Sequence, residues 1–468
     1  MRQSLHIFRK DLRYLHREIL LIWALAIAFA WGVGWTNFLL LTSGAFTIGR
    51  LVHAEAIPGD RQFWITRPYR WRSLLAAKLG FILLLVSLPF GLAQLTVVVT
   101  QGFPLASSLP RLLWSQVLLV LCLWLPLATV AALTSGVIAY TLAGLGLMAV
   151  GFTALPALAV SANPWPSGVD WMRNSVVVVL AAAAGMAILY LQYQRRRTLL
   201  GRALAAIALA AGVLLYRSLP WPAAFQLQSQ LSAQPEAGSA IHVALNSAAA
   251  IFAQPVPRGN DALLHIPLSV SGVRSGVDVR FDGAAVTVRS AGGRKWTQHA
   301  FNLVSSSVKD GALQFDATFH FLDPALLAAV RSQPVTVHGA VYLALFAQSR
   351  ETAAPLRDTP IRALDGLQCY RDRFSVVFCR SAFRWPRELV YTRVTHDILN
   401  PINTLISYSP FPAGLSLDPV EEHWASGPPL ATPDVALVAK QPIAYVVRDF
   451  EIRDVSVYHA NGLYRRTL

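Results

Sequence analysis

Apolar residues fill long stretches of the first 219 positions and alternate with polar ones over short stretches of the remainder. The first pattern predicts membrane helices, each needing about 20 predominantly apolar residues. Such runs lie near 79–99, 112–133, 137–160, 175–194 and 203–219, and none carries a charge in its central part. Pro89, Pro126 and Pro156 fall inside them. They read as ordinary membrane kinks, because neighbouring helices can satisfy the carbonyls a proline frees; a hinge role is the weaker reading.

The run 19–53 is long for one crossing and short for two. Charge decides between them. With two crossings, near 19–34 and 36–53, one side carries residues 1–18, 50–78 and 195–202, with fifteen Lys and Arg in all. The other side then keeps only Arg111 and Arg173. A single crossing gives seven on the inner side against ten on the outer. Lys and Arg favour the cytoplasmic side, so a hairpin turning near Gly32-Val33-Gly34 is expected, about seven spans in total, with a cytoplasmic N-terminus. Ala28-Phe29-Ala30 resembles a signal-peptide cleavage site, but Asp11 and Glu18 in a long leading segment argue against cleavage.

Residues 220–262, rich in Ala, Ser, Gln and Pro, read as a linker with at most one irregular strand. Period-two alternation follows in LLHIPLSVSGV, VDVRFDGAAVTVRS, ALQFDATFHFL, VTVHGAVYLALF and IAYVVRDFEIRDVSVY, bounded by turn formers. Asp323-Pro324 before ALLAAVRSQ predicts one short helix. The expected fold is thus an α-helical polytopic membrane domain over 19–219, followed at 263–468 by a mostly-β, sandwich-like domain. Seven spans put that domain outside the cytoplasm, in a bacterial cytoplasmic (inner) membrane protein. The 5 Lys against 35 Arg hint at a GC-rich bacterial genome.

Composition sharpens this picture. The chain is 54% hydrophobic and carries a net charge of +15. Residues 1–219 hold 18 Lys and Arg against 5 Asp and Glu, and the remainder 22 against 20. Base concentrated between apolar runs marks membrane topology and argues against a nucleic-acid partner. Of three cysteines, Cys122 sits in a span, while Cys369 and Cys379 bracket CYRDRFSVVFC, a spacing that suits two strands joined by a turn. In an oxidising compartment that pair is expected to form a structural disulfide; the spacing fits no zinc or CxxC site.

Catalytic motifs are missing from the sequence. It has no phosphate-binding GxxxxGK[ST] loop, no HExxH and no GxSxG. The chain is read as no enzyme and as binding no metal or cofactor. Its spans lack the buried carboxylates of a proton relay, which argues against an ion-driven carrier. EEHW at 421–424 and His396-Asp397 read as surface or turn positions.

Two stretches stand out. Leu5, Phe8, Leu12, Leu15 and Ile19 recur in steps of three and four, with Arg9, Lys10, Arg13 and Arg17 on the other faces. This predicts a basic amphipathic helix over 1–18, lying in the cytoplasmic interface. GDRQFWITRPYRWRSLLAAK at 59–78 combines five basic residues with Phe63, Trp64 and Trp71. Arg67 before Pro68 predicts a break at 66–67 and a helix restarting at the proline. The rings read equally as headgroup anchors or as a docking face rimmed by Arg61, Arg67, Arg70 and Arg72.

FRKDLRYLHRE, a short hairpin, and then HAEAIPGDRQFWITRPYRWRSLLAAK resemble the permease subunit of type-2 ATP-binding-cassette (ABC) exporters. The matching positions are Glu55, Gly59, Arg67-Pro68, Arg70, Leu74-Leu75 and Lys78, and the resemblance covers roughly residues 1–200. It implies that 54–78 is the coupling loop meeting a separate cytoplasmic ATPase that binds ATP and Mg. The loop residues singled out are Glu55, Gly59, Asp60, Phe63, Trp64, Arg67, Pro68, Arg70, Trp71 and Lys78. It also implies a homodimer or heterodimer of permeases in membrane lipid. A seventh span and a domain of about 250 residues depart from the family's six-span core. The expected function is export of a hydrophobic or amphipathic substrate. The alternative is a non-transporting anchor for a β-domain that binds a cell-envelope partner or ligand.

Overall fold

A computed structural model describes residues 2–459 except 34, 55–69, 148, 150–167, 247–250, 256–261, 294, 301–305, 310–311, 322–332, 356–360, 365–366, 372–376, 384–388, 395–416, 425–433 and 456–457. The chain forms two compact units, and the second half contributes to both. One unit joins Met1–Asn163, Trp171–Leu219 and Thr352–Leu437; the other joins Pro164–Asp170, Pro220–Glu351 and Val438–Leu468.

The first unit is built of α1 (Arg2–Tyr14), α2 (His16–Ala30), α3 (Thr36–His53), α4 (Trp71–Thr100), α5 (Leu105–Leu133), α6 (Val137–Leu147), α7 (Asp170–Arg195) and α8 (Thr198–Ser218). Four of these, α4, α5, α7 and α8, are long and apolar enough to cross a membrane. The first half is helical, and these four apolar helices support integration in a membrane. Seven spans are not established. Helices α2 and α3 have 15 and 18 residues, or roughly 23 and 27 Å at 1.5 Å per residue, short of a 30 Å hydrocarbon core. Of the run 137–160, the described helix covers Val137–Leu147, and Pro156 lies outside the described residues. The turn between α2 and α3 falls at Gly32, whose φ of +86° suits a residue without a side chain.

Pro89 and Pro126 each follow a wide π turn, at Ile82–Ser87 and Val120–Trp124. A proline ring collides with the carbonyl four residues before it, and a π turn moves that carbonyl aside. Close packing also relies on small residues. A Cβ on Gly44 would press on the Trp124 and Val86 side chains, and one on Gly49 would enter the Tyr140 ring. Helix α8 buries only Gly201 among its described residues, leaving Leu199, Ile207, Leu209 and Leu214 open. In water such a surface would aggregate; in a bilayer it meets acyl chains.

The same unit includes a small sheet of order β13-β11-β10-β9, from β9 (Ile361–Leu364), β10 (Leu367–Arg371), β11 (Val377–Ala382) and β13 (Val420–Trp424). It packs against the junction of α4 and α5. Ala382 and Phe383 share a cluster with Val98, Phe103 and Leu112, and Gln368 Nε2 donates to the Gln101 carbonyl at 2.8 Å.

In the second unit two sheets close on one core. The first carries β1 (His242–Leu245), β2 (Phe252–Pro255), β3 (Ala262–Ser271), β6 (Ser306–Lys309), β7 (Ala312–Phe321) and β15 (Tyr458–His459). The second runs β14 (Asp434–Val455), β8 (Val335–Pro355), β4 (Val277–Ser290) and β5 (Lys295–Ala300). Leu264, Ile266 and Leu268 from one sheet meet Val286, Val341 and Leu343 from the other. A bulge interrupts β4 between Phe281 and Gly283, setting the buried Asp282 against Arg280 at 2.6 Å.

Two boundaries differ from the sequence reading. Residues 220–262 are no linker. They contain α9 (Trp221–Gln230), whose Trp221 and Phe225 are buried against Tyr342, as well as β1 and β2. The β-rich region is also no single block from 263 onward, since 352–437 joins the helical unit. The expected helix after Asp323 lies outside the described residues.

Candidate functional site

The three segments that carry the expected cytoplasmic charge converge at one end of the helical unit. A single apolar cluster gathers Ile7 of α1, Val52 at the end of α3, Leu74 and Ala77 at the start of α4, and Ala131 and Ala132 at the end of α5. Leu189 and Tyr193 of α7 complete it. Polar bonds tie the same elements. Arg50 donates to Glu18 and stacks over the Tyr14 ring. The Thr134 hydroxyl lies 3.3 Å from His53 Nε2, and the Arg202 guanidinium donates twice to the Leu133 carbonyl, at 3.2 and 3.0 Å. Trp71 meets Tyr190 edge to face.

Within this cluster one ion pair is wholly buried. Lys78 Nζ donates to Asp11 Oδ2 at 2.9 Å and to the Leu51 carbonyl at 3.0 Å, with the two side chains 2% and 1% exposed. Lys78 therefore fastens α1, the end of α3 and α4 together. Both ends of the loop between α3 and α4 are pinned beneath α1, where the Arg70 N–H also donates to Gln3 Oε1 at 3.4 Å.

Of the loop residues singled out by sequence, Glu55, Gly59, Asp60, Phe63, Trp64, Arg67 and Pro68 lie outside the described residues. Arg70 is exposed, and Trp71 is half-buried with Arg72 stacked over its ring. The helix restarts at Trp71, because Arg70 is extended with φ −68° and ψ 128°. The restart thus comes three residues after the proline at which it was expected. Lys78 is no surface residue, and its charge is consumed inside the cluster.

Helix α1 also turns differently from the expected stripe. Its buried residues are Ile7 and Asp11, continued by Leu15, whereas Leu5 and Leu12 are exposed. Asp11 reads as polar, so a search for apolar periodicity passes over the face it lies on. The partner that makes its burial tolerable stands 67 positions away.

A second polar group, missed in the sequence, lies near the opposite end of the helices. Ser87 Oγ donates to Gln116 Oε1 at 3.2 Å, Gln116 Nε2 to Gln94 Oε1 at 2.8 Å, and Gln94 Nε2 to the Leu417 carbonyl at 3.1 Å. Asn37 Nδ2 donates to the same carbonyl at 3.3 Å. Gln94 is fully buried. Leu417 sits just before Asp418, whose carboxyl accepts the Val420 N–H and is nonetheless pushed above the usual carboxylate range by burial. Among the described residues no three His, Cys, Asp or Glu side chains gather as metal ligands.

The Cys369 and Cys379 backbones stand directly opposite each other on antiparallel β10 and β11, and Cys369 is buried. No protein-family model and no curated protein matches this chain.

Proposed function

We propose that this chain is the membrane permease subunit of an ATP-driven exporter, working with a separate cytoplasmic ATPase that docks on the loop between α3 and α4. The observation that carries the reading is the gathering of α1, the ends of α3, α5 and α7 and the start of α4 around Lys78 and Asp11. Force applied to a loop whose two ends are pinned to three helices moves those helices together, as a coupling loop requires. Arg9 and Arg13 on α1, Arg17 at the start of α2, and Arg70 and Arg72 where α4 begins are exposed, and such residues favour the cytoplasmic side. The apolar helices suit a hydrophobic or amphipathic substrate, the small sheet lies toward the outer side, and the two sheets on one core support a sandwich-like outer domain. Either a second copy or a sibling permease would complete the pathway.

The test is co-purification in mild detergent. The protein should bring down an ATPase, and Trp64→Ala with Arg67→Ala should release it at equal membrane levels. Loss of such anchors costs about 2 kcal/mol or more, a weakening of roughly thirtyfold. Equal recovery from both proteins would leave the basic loop as a topology signal. Absence of any ATPase would favour a non-transporting membrane anchor for the β-rich region.

A further inference from the structure

Asn37 on α3 and Gln94 on α4 aim two amide donors at one oxygen, the backbone carbonyl of Leu417. The arrangement has a direction. The Ser87 hydroxyl donates to Gln116, Gln116 to Gln94, and Gln94 outward to Leu417. Each bond polarises the next, so the donor at the end of the chain is strengthened. Gly91 leaves room for the Gln116 side chain, since an added Cβ would come within 3.2 Å of its amide carbon. The surroundings are apolar: Leu40, Phe90 and Leu118 belong to the cluster against which the Leu417 side chain packs. Neutral amides buried in a membrane helix cluster are costly unless satisfied. Here they meet a group with a carbonyl oxygen, a branched apolar tail and no charge.

We propose that these donors form a binding site for an uncharged acyl carbonyl, an ester or amide at the head of an apolar chain, and that Leu417 occupies it as an internal mimic that a ligand displaces. The inference rests on the exporter reading above and gives its substrate a chemical class. A carboxylate is disfavoured because both donors to the carbonyl, Asn37 and Gln94, are neutral amides. An alkane is disfavoured because it offers no acceptor to the two amides in place of the Leu417 carbonyl.

The experiment uses the full chain in lipid nanodiscs with three photoactivatable probes of equal length: an N-acyl amide, an acyl methyl ester and the parent alkane. Saturable labelling near α3 and α4 is expected from the first two and not from the alkane. Gln94→Met and Asn37→Leu keep side-chain volume while removing one donor each, and should weaken labelling about fivefold, the value of one hydrogen bond of ~1 kcal/mol. Leu417→Ala loosens the mimic and should raise labelling several-fold. Because the two donors sit on different helices, failure of one variant to fold leaves the other to answer. Equal labelling by the alkane, or unchanged labelling in a folded donor variant, overturns the site. Labelling needs no ATPase, so loss of the site with the ATPase still bound would sink this inference alone, and labelling without any ATPase would sink the exporter reading alone.

Discussion

Lys78 Nζ sits 2.9 Å from Asp11 Oδ2, in an ion pair from which solvent is almost wholly excluded. Such a pair need not stabilise the fold relative to two apolar side chains, because removing both charges from water is expensive. What it does is select one arrangement of α1 against α3 and α4. Asp11→Ala leaves a buried ammonium and should cost about 3–5 kcal/mol, whereas Asp11→Leu with Lys78→Met should fall near the wild type or above it. Thermal unfolding in detergent compares them. A single variant as stable as the double would remove the pair from any structural role.

The fifteen-to-two distribution of Lys and Arg, counted for seven spans, predicts a cytoplasmic N-terminus. Reporter fusions after Lys78 should read as cytoplasmic, and fusions after Trp221 as extracytoplasmic. A cytoplasmic signal from the second would reverse the exporter's proposed geometry.

Cys369 and Cys379 are direct cross-strand partners. Such partners hold their Cα atoms about 4.5–5.5 Å apart, inside the range a disulfide spans. Non-reducing peptide mapping of protein from native membranes should recover the two peptides linked, and Cys379→Ser should cost about 2–3 kcal/mol. Two free thiols would refute the bridge.

Asp282 gives the second unit a pH signature. Burial raises its carboxyl above the usual carboxylate range, and the opposing attraction of Arg280 does not fully cancel this. The folded state therefore holds a proton more tightly than the unfolded chain. This group's contribution to stability is greatest below the ordinary carboxylate pKa and is lost as pH rises through the raised value. Thermal unfolding of the β-rich unit should move upward as pH falls from neutrality toward that range. In Asp282→Asn this component should vanish, and an unchanged slope would reassign the effect to other groups.

Local pattern made much of this architecture legible. β4 runs over the alternating VDVRFDGAAVTVRS, and β7 covers ALQFDATFHF. The apolar runs at 79–99, 112–133 and 175–194 lie within long helices, and the run 203–219 does so up to Ser218. Non-local relationships were not legible. Asp11 and Gln94 are buried polar residues whose partners stand 67 and 323 positions away, and no period in the chain marks them. Residues 352–437 contain no apolar run of membrane-spanning length, so nothing in their spacing says that they fold with helices.

The separation of 323 residues between Gln94 and Leu417 is also a separation in time. A ribosome adding about 5–20 residues per second needs on the order of 16–65 s to travel from one to the other. For most of that interval Asn37, Gln94 and Gln116 are already made while the Leu417 carbonyl to which Asn37 and Gln94 donate is not. The nascent membrane unit must therefore hold those amides on water, on lipid or on one another until its last strands emerge. A chain cut short before residue 417 would stay in that unfinished state.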